Sequence, residues 1–324
     1  RQDVFLCIPP LYHTGAKMHW FGSLLSGSKA VLLRGVKPEW ILRAVTEEKC
    51  TIVWLLVPWA QDLLDAIDSG RVDLSQYRLS QWRLMHIGAQ PVPPSLIARW
   101  KTIFPHHEYD TNYGLSESIG PGAVHLGVEN IHKVGAIGIP GFGWETRIVD
   151  EHGVDVPQGE VGELLLRGNG VMLCYYKNPE ATAEAFTSDG YFRTGDYGRM
   201  NKKGQLIITG RKKNMIILGN GKNIYPEELE NYIGGISYVL ENIVYGTRDE
   251  NGNEDALAVQ CVIDPELASQ MSAEEWQAKL KRDVFEALRE LPTYKQISIF
   301  VVRKEPFVKT TTNKIRRAKD GSPL

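Results

Sequence analysis

Cysteine is scarce and scattered in this chain. Four occur in 324 residues, Cys7, Cys50, Cys174 and Cys261, and no two form a Cys-x-x-Cys pair. That spacing excludes a zinc knuckle and a disulfide scaffold, and it fits a reducing compartment, the cytoplasm. Long apolar runs are missing too: no stretch has transmembrane length, and none reads as a signal-peptide core. Charge of one sign is not in excess, since 37 basic and 39 acidic residues leave a net charge of -2. No nucleic acid or anionic membrane is therefore expected as a partner. The basic cluster over 309–319 is the exception and reads as a solvated tail. Repeats and low-complexity segments are absent, as is a Gly-x4-Gly-Lys-Ser/Thr phosphate loop; Gly219-Asn220-Gly221-Lys222 lacks both its spacing and its hydroxyl residue. What remains is an ordinary globular composition, 43% hydrophobic, long enough for a substantial core and roughly two domains.

The first third alternates strand and helix signals. Residues 4–8, 30–33, 51–57 and 82–87 read as strands, the third of them apolar throughout. Residues 16–25 and 38–48 read as helices, the second starting at its proline. Leu63, Leu64 and Ile67 give the next helix an apolar stripe, and Leu96, Ile97, Trp100, Ile103 and Phe104 fall at helical spacing after Pro93-Pro94. This order predicts an α/β fold with a parallel sheet layer covered by helices. Ligands of such sheets gather at the carboxyl ends of strands, where residues 9–13, 88–90 and 113–117 are expected. From 143 to 211 the pattern becomes short strands, 146–149, 163–167 and 206–209, between turns such as Asp150-Glu151-His152-Gly153, which predicts a small antiparallel β subdomain. A small α+β domain follows, with a helix from Pro226, strands at 243–245, 256–263 and 297–302, and a helix carrying Trp276, Leu280, Val284 and Leu288. The boundary is expected at Lys213, giving domains 1–212 and 213–324.

Five segments carry polar chemistry in order: Tyr113-Gly114-Leu115-Ser116-Glu117, Thr194-Gly195-Asp196, Gly210-Arg211-Lys212-Lys213-Asn214, Gly221-Lys222-Asn223-Ile224-Tyr225-Pro226 and Thr312-Asn313-Lys314. Taken singly each has a bland reading. The first is a turn before a helix, the next two are surface turns with a paired charge, and Lys314 is one solvated lysine among Lys309, Arg316, Arg317 and Lys319.

Taken together, their order and spacing resemble the adenylate-forming superfamily of acyl-CoA synthetases, peptide-synthetase adenylation domains and luciferases, most of all the AMP-forming fatty acyl-CoA synthetases. The resemblance implies activation of a carboxylic acid with ATP and Mg2+ to an acyl-adenylate, then transfer to CoA. By it, Glu117 holds magnesium, Ser116 (where Thr is commoner) contacts phosphate, and Tyr113 lies against adenine. Asn112, Gly114 and Leu115 complete that segment. Gly88-Ala89-Gln90 edges the adenine and the acyl pocket, Asp196 accepts from both ribose hydroxyls, and Arg211 sits beside ribose and phosphate. Lys314 bridges the substrate carboxylate and the α-phosphate, and Lys213 is the hinge on which the small domain swings. Gly219, Gly221 and Lys222 belong to the loop lining the pantetheine tunnel, one residue longer here than the common form because of Asn220. His13 gates the acyl entrance on one reading and is structural on the other. Met18, His19, Trp20 and Phe21 line the acyl pocket or are simply core. A Ser/Thr/Gly-rich phosphate loop is expected several tens of residues before the segment 3–13, so the 324 residues read as the C-terminal part of a longer enzyme.

Peptide-synthetase domains place an aspartate near the helix after His13 to pair an amino group, and none occurs from Tyr12 to Phe21. A plain carboxylic acid is therefore expected, a fatty acid first and an aryl acid next. A stand-alone enzyme loading a carrier protein, or a non-catalytic nucleotide-binding fragment, are the rival readings.

Overall fold

The computed structural model describes residues 3–127, 134–248, 254–310, 314–318 and 321–324. Its contacts divide the chain into two compact units, residues 1–208 and 209–324.

The first unit is built on a five-stranded parallel sheet of β1 (Val4–Cys7), β2 (Lys29–Leu32), β3 (Ile52–Leu56), β4 (Leu84–Gly88) and β5 (Glu108–Asp110), in the order β2-β1-β3-β4-β5. Its crossovers are α1 (Thr14–Ser26), α2 (Pro38–Glu48), α3 (Val57–Asp68) and α4 (Pro94–Ile103). Proline occupies the first or second position of α2, α3 and α4, where its fixed φ suits the helix and its missing N–H has no partner to lose. The apolar stripes meet the sheet: Leu6, Val53, Leu55, Met85 and Ile87 pack with Ile41, Leu42, Leu63, Leu64 and Trp100, all fully buried. Both faces of the strands are covered, which is why residues 51–57 can be apolar without alternation. Strand order reverses between β1 and β3, so the carboxyl ends of β1, β3 and β4 frame the crevice where ligands of this architecture bind.

After β5 the chain leaves this sheet at the buried Thr111. It enters a three-stranded antiparallel sheet of β6 (Asn112–Leu115), β7 (Gly120–His125) and β8 (Ile139–Pro140). A four-stranded sheet follows, β9 (Trp144–Val149), β10 (Gly162–Gly168), β11 (Phe192–Met200) and β12 (Leu206–Arg211), in the order β12-β11-β10-β9, with α5 (Pro179–Ala185) between β10 and β11. The α/β class and the antiparallel sheets match expectation. The bland readings of two segments taken singly do not hold: Tyr113-Gly114-Leu115 lies in a strand and not in a turn, and Thr194-Gly195-Asp196 is the middle of β11 and not a surface turn.

The second unit holds a two-stranded hairpin, β13 (Ile216–Ile217) with β14 (Asn223–Ile224), then α6 (Pro226–Ile233). A three-stranded sheet follows, β15 (Val239–Arg248) antiparallel to β16 (Glu254–Ile263) and β17 (Ile299–Arg303) parallel to β16. The parallel pair needs a crossover, supplied by α7 (Pro265–Ala268) and α8 (Ala273–Ala287). Ser272 and Glu275 close a capping box at the start of α8. Its apolar stripe, Trp276, Leu280 and Val284, packs with Leu229, Ile233, Val244 and Val259.

Candidate active site

In the first unit the polar residues converge on the seam between β6 and β11. Asp196 is 3% exposed in a strand whose alternate residues face the core. Its Oδ2 accepts the Tyr113 hydroxyl at 2.5 Å, which ties the tyrosine ring on β6 to the carboxylate on β11. The strand around Asp196 is locked in turn. Thr194 Oγ1 donates to Leu164 O at 2.6 Å and accepts from Asp196 N at 3.0 Å. Buried Glu163 accepts from Arg193 at 3.1 Å and from Gly195 N at 3.3 Å. The backbone around Asp196 is thus fixed, and its carboxylate, held by Tyr113, is placed to accept further donors.

Immediately after β6, Ser116, Glu117 and Ser118 form one 3-10 turn. Glu117 O accepts from Met172 N at 2.7 Å, and Glu117 Oε1 accepts the Tyr175 hydroxyl at 3.0 Å. Burial, then the Glu117 carboxylate, raises the Tyr175 hydroxyl, which keeps its proton and its hydrogen bond. Ser116 Oγ lies 3.2 Å from Thr14 Oγ1, placing two hydroxyls at the start of α1. Gly120 makes this approach possible: at φ +87°, a Cβ there would meet Thr14 Cγ2 at 3.0 Å and Gly15 N at 3.2 Å. No group of three or more His, Cys, Asp or Glu side chains able to cage a metal exists among the described residues. A single anchored carboxylate still fits magnesium, which is usually held by one or two carboxylates together with substrate phosphates.

The Gly88-Ala89-Gln90 loop ends β4 beside β6, with Gly88 packed on the Asn112 carbonyl. Ala89 takes a left-handed φ of 67°, uncommon for a residue with a Cβ, so the turn is held by its surroundings. His13 is the N-cap of α1; its Nδ1 accepts from Gly15 N at 3.2 Å, and its ring meets Trp54 edge-on at 5.6 Å. Trp20 packs its ring on Phe21 at 5.0 Å and is not among the rings around Trp54. Gly114 and Leu115 are backbone members of β6.

The remaining candidates belong to the second unit. Arg211 ends β12 and Lys213 lies in the 3-10 turn Lys212–Asn214. Gly219, Gly221 and Lys222 form the tip of the β13–β14 hairpin, with Leu218 N donating to Lys222 O at 3.0 Å and Gly221 at φ +76°. Lys222 Nζ lies 5.8 Å from the Tyr294 ring centroid. Lys314 is exposed on a ribbon in which Lys309 bridges to Ile315 and Thr310 N donates to Lys314 O at 2.8 Å. Its neighbours Thr312 and Asn313 lie outside the described residues. The ribbon is pinned on both sides. Glu241 takes Lys309 Nζ at 2.5 Å and Phe307 N at 2.9 Å; Arg317 pairs with Glu230 and donates to Val244 O at 2.8 Å.

Sequence reasoning missed Thr14, Glu163 and Tyr175. Glu163 had a signal, an acid heading the apolar run Leu164-Leu165-Leu166. Thr14 and Tyr175 had none, because they meet their partners across 102 and 58 positions.

Solved structures define the class. The o-succinylbenzoate CoA synthetase of Bacillus subtilis, bound to its acyl-adenylate, superposes with a TM-score of 0.79 at 25% identity over 97% of this chain and 60% of its own. These are adenylate-forming enzymes. The family model described as AMP-binding enzyme matches residues 1–176, and the chain belongs to that family. A feruloyl-CoA synthase of Amycolatopsis sp is 34% identical over 256 residues, 78% of this chain and 50% of the relative. A mitochondrial medium-chain acyl-CoA ligase of Danio rerio is 32% identical over 269 residues, 80% and 42% respectively. The chain thus spans about half the length of the curated relatives it matches. None of its helices, among the described residues, is long and apolar enough to cross a membrane.

Proposed function

We propose that the protein carrying this chain is an AMP-forming acid–CoA ligase. The observation that carries the reading is the buried Asp196 carboxylate held at 2.5 Å by the Tyr113 hydroxyl, beside the anchored Glu117 turn. A ribose presents two hydroxyl donors, and a fixed two-oxygen acceptor in a dry strand receives them without reorganisation. Tyr113, its ring held by its own hydroxyl, offers a flat surface to adenine; Asn112 and the Gly88-Ala89-Gln90 loop border the same space.

The first step joins a substrate carboxylate oxygen to the α-phosphorus of ATP while the bond to the bridging oxygen breaks and pyrophosphate leaves. Ser116 donates to phosphate, with Arg211 and Lys314 as the cations that offset the meeting of two anions. Magnesium, held by Glu117 together with the phosphates, supplies charge neutralisation when bound. In the second step the CoA thiolate attacks the acyl carbonyl and AMP leaves. The Gly219, Gly221 and Lys222 hairpin tip guides the pantetheine arm, and rotation about Lys213 exchanges Lys314 for that hairpin. The names of the relatives support either an aliphatic or an aryl acid. The cysteine pattern, three buried and one exposed and none paired, supports the cytoplasm.

The test is a panel of acids with ATP, magnesium and CoA. AMP, pyrophosphate and acyl-CoA are expected in equal amounts for the preferred acid. ADP in place of AMP, or product without acid, would overturn the reading.

A further inference from the structure

The loop that follows β10 closes over the turn that carries Glu117 and holds it by backbone, side chain and packing. Met172 N donates to Glu117 O at 2.7 Å, and the Tyr175 hydroxyl donates to Glu117 Oε1 at 3.0 Å. Gly170 brings the loop backbone against Trp144 and Ile119, where a Cβ would meet Trp144 Cζ2 at 2.7 Å and Ile119 Cδ1 at 3.4 Å. The turn needs this support. Ile119, which ends it, sits at φ +63°, a left-handed conformation that a β-branched residue keeps only where its surroundings impose it.

Tyr175 is itself held in place. Its N–H donates to Thr182 Oγ1 at 3.0 Å, and its carbonyl accepts from Asn178 N at 3.1 Å. Thr182 Oγ1 donates in turn to Asn178 O at 2.8 Å, and Asn178 caps α5 by accepting from Ala181 N at 3.1 Å. The phenol thus stands on hydrogen bonds fixed to the start of α5, none of which involves Glu117. A carboxylate can only accept, so the phenol is the donor of the pair. The last torsion of a glutamate is broad and two-fold, and a donor on Oε1 ends that freedom while leaving Oε2 for another partner. The backbone of the turn is already held by Met172 N, so the phenol's bond bears on the carboxylate alone.

We infer that Tyr175 is a positioning residue for adenylation: it holds the Glu117 carboxylate in one orientation before magnesium and the ATP phosphates arrive. The inference rests on the adenylating reading above, with Glu117 as the metal-holding acid. Magnesium demands near-ideal geometry of its ligands, and a group that fixes a ligand from behind sets metal affinity without touching the metal.

The experiment titrates α,β-methylene ATP, whose α–β bridge cannot break, into the protein carrying this chain, by calorimetry with magnesium and again with a chelator. The readout is the factor by which magnesium strengthens binding. Tyr175→Phe is expected to reduce that factor about tenfold, the scale on which such outer partners act, and to leave AMP binding in chelator unchanged. Tyr176→Phe, at the exposed neighbour, is expected to change neither. In a Glu117→Ala background, Tyr175→Phe is expected to cause no further loss, because the phenol then has no carboxylate to hold. An unchanged magnesium factor in Tyr175→Phe, or a second loss on top of Glu117→Ala, would overturn the inference and leave adenylation standing. So would an equal loss of AMP binding in chelator, which would make the phenol a support of the site at large. Failure of the unaltered protein to bind AMP or the analogue at all would defeat the adenylating reading itself, and the inference with it.

Discussion

A carboxylate with its partner fixed at 2.5 Å makes a sharp case for what one side chain does. Asp196 is expected to contribute to AMP and ATP binding alike, because both carry the ribose. Asp196→Ala should weaken both by roughly ten- to hundredfold, the value of hydrogen bonds to a charged acceptor. Tyr113→Phe should weaken both by less, since it removes only the hydroxyl that orients the acid. Glu117→Gln should leave metal-free AMP binding unchanged and raise the magnesium needed for turnover. Calorimetry with AMP in the presence of a chelator separates these cases, and loss of AMP binding in Glu117→Gln alone would reverse the assignments.

His107 supplies a second test at the same scale. It is buried against Trp82, Trp100 and Phe104, and its Nδ1 accepts from Trp100 Nε1 at 3.3 Å, which only the neutral ring can do. Burial, then Lys101 and His106, push its pKa down to about 4. The unfolded chain takes up this proton near 6.5 while the folded protein refuses it until about 4. The stability contributed by the neutral ring is therefore present above the unfolded pKa and lost as pH falls through that window, by up to about 3 kcal/mol. Denaturant titrations of the protein and of His107→Leu from pH 7 to pH 4 should show a shallower slope in the variant.

At the scale of elements, legibility followed periodicity. The parallel sheet could be read from residues 51–57 and 82–87 because buried strands and proline-started helices leave strong local marks. Strand β11 could not, because Thr194, Gly195 and Asp196 are turn-forming types, and only pairing with β10 and the Leu164 carbonyl makes them extended. The motif residues of the candidate site were legible as residue types in order. Tyr175 was not legible as the partner of Glu117, since a turn after β6 and a loop after β10 bring the two together. Lys314 shows the same limit: its placement depends on acids far back in the chain. Arg317 pairs with Glu230, which is mostly buried, accepts from Val244 N at 2.7 Å and has its pKa raised by burial. Glu230→Ala would leave that guanidinium with backbone acceptors but no counter-charge, and should cost about 3 kcal/mol. Unfolding of the second unit reports the loss, and slowed adenylation with intact thioester formation from supplied acyl-adenylate is expected to accompany it.

For the whole molecule, two units joined through β12 and the Lys212–Asn214 turn make backbone freedom at Lys213 the variable that matters. Lys213→Pro fixes φ and removes a donor, and should impair one half-reaction more than the other. Separate assays of pyrophosphate exchange and of CoA transfer check this; equal impairment would remove Lys213 from the hinge role.

The all-parallel character of the five-stranded sheet carries a consequence for the birth of the protein. No pair in that sheet is joined by a hairpin, and Phe5 must find Ile52 across 47 positions, whereas Thr247 meets Ala256 across nine. Loop closure precedes the reward in the first case and hardly delays it in the second. Pulse-labelled hydrogen exchange during refolding should therefore protect amides of β15 and β16 before those of β1 and β3. On the ribosome the order of synthesis is the reverse of the order of ease. The apolar strands of the sheet emerge first and wait longest, and that interval is when they are open to chaperones and to one another.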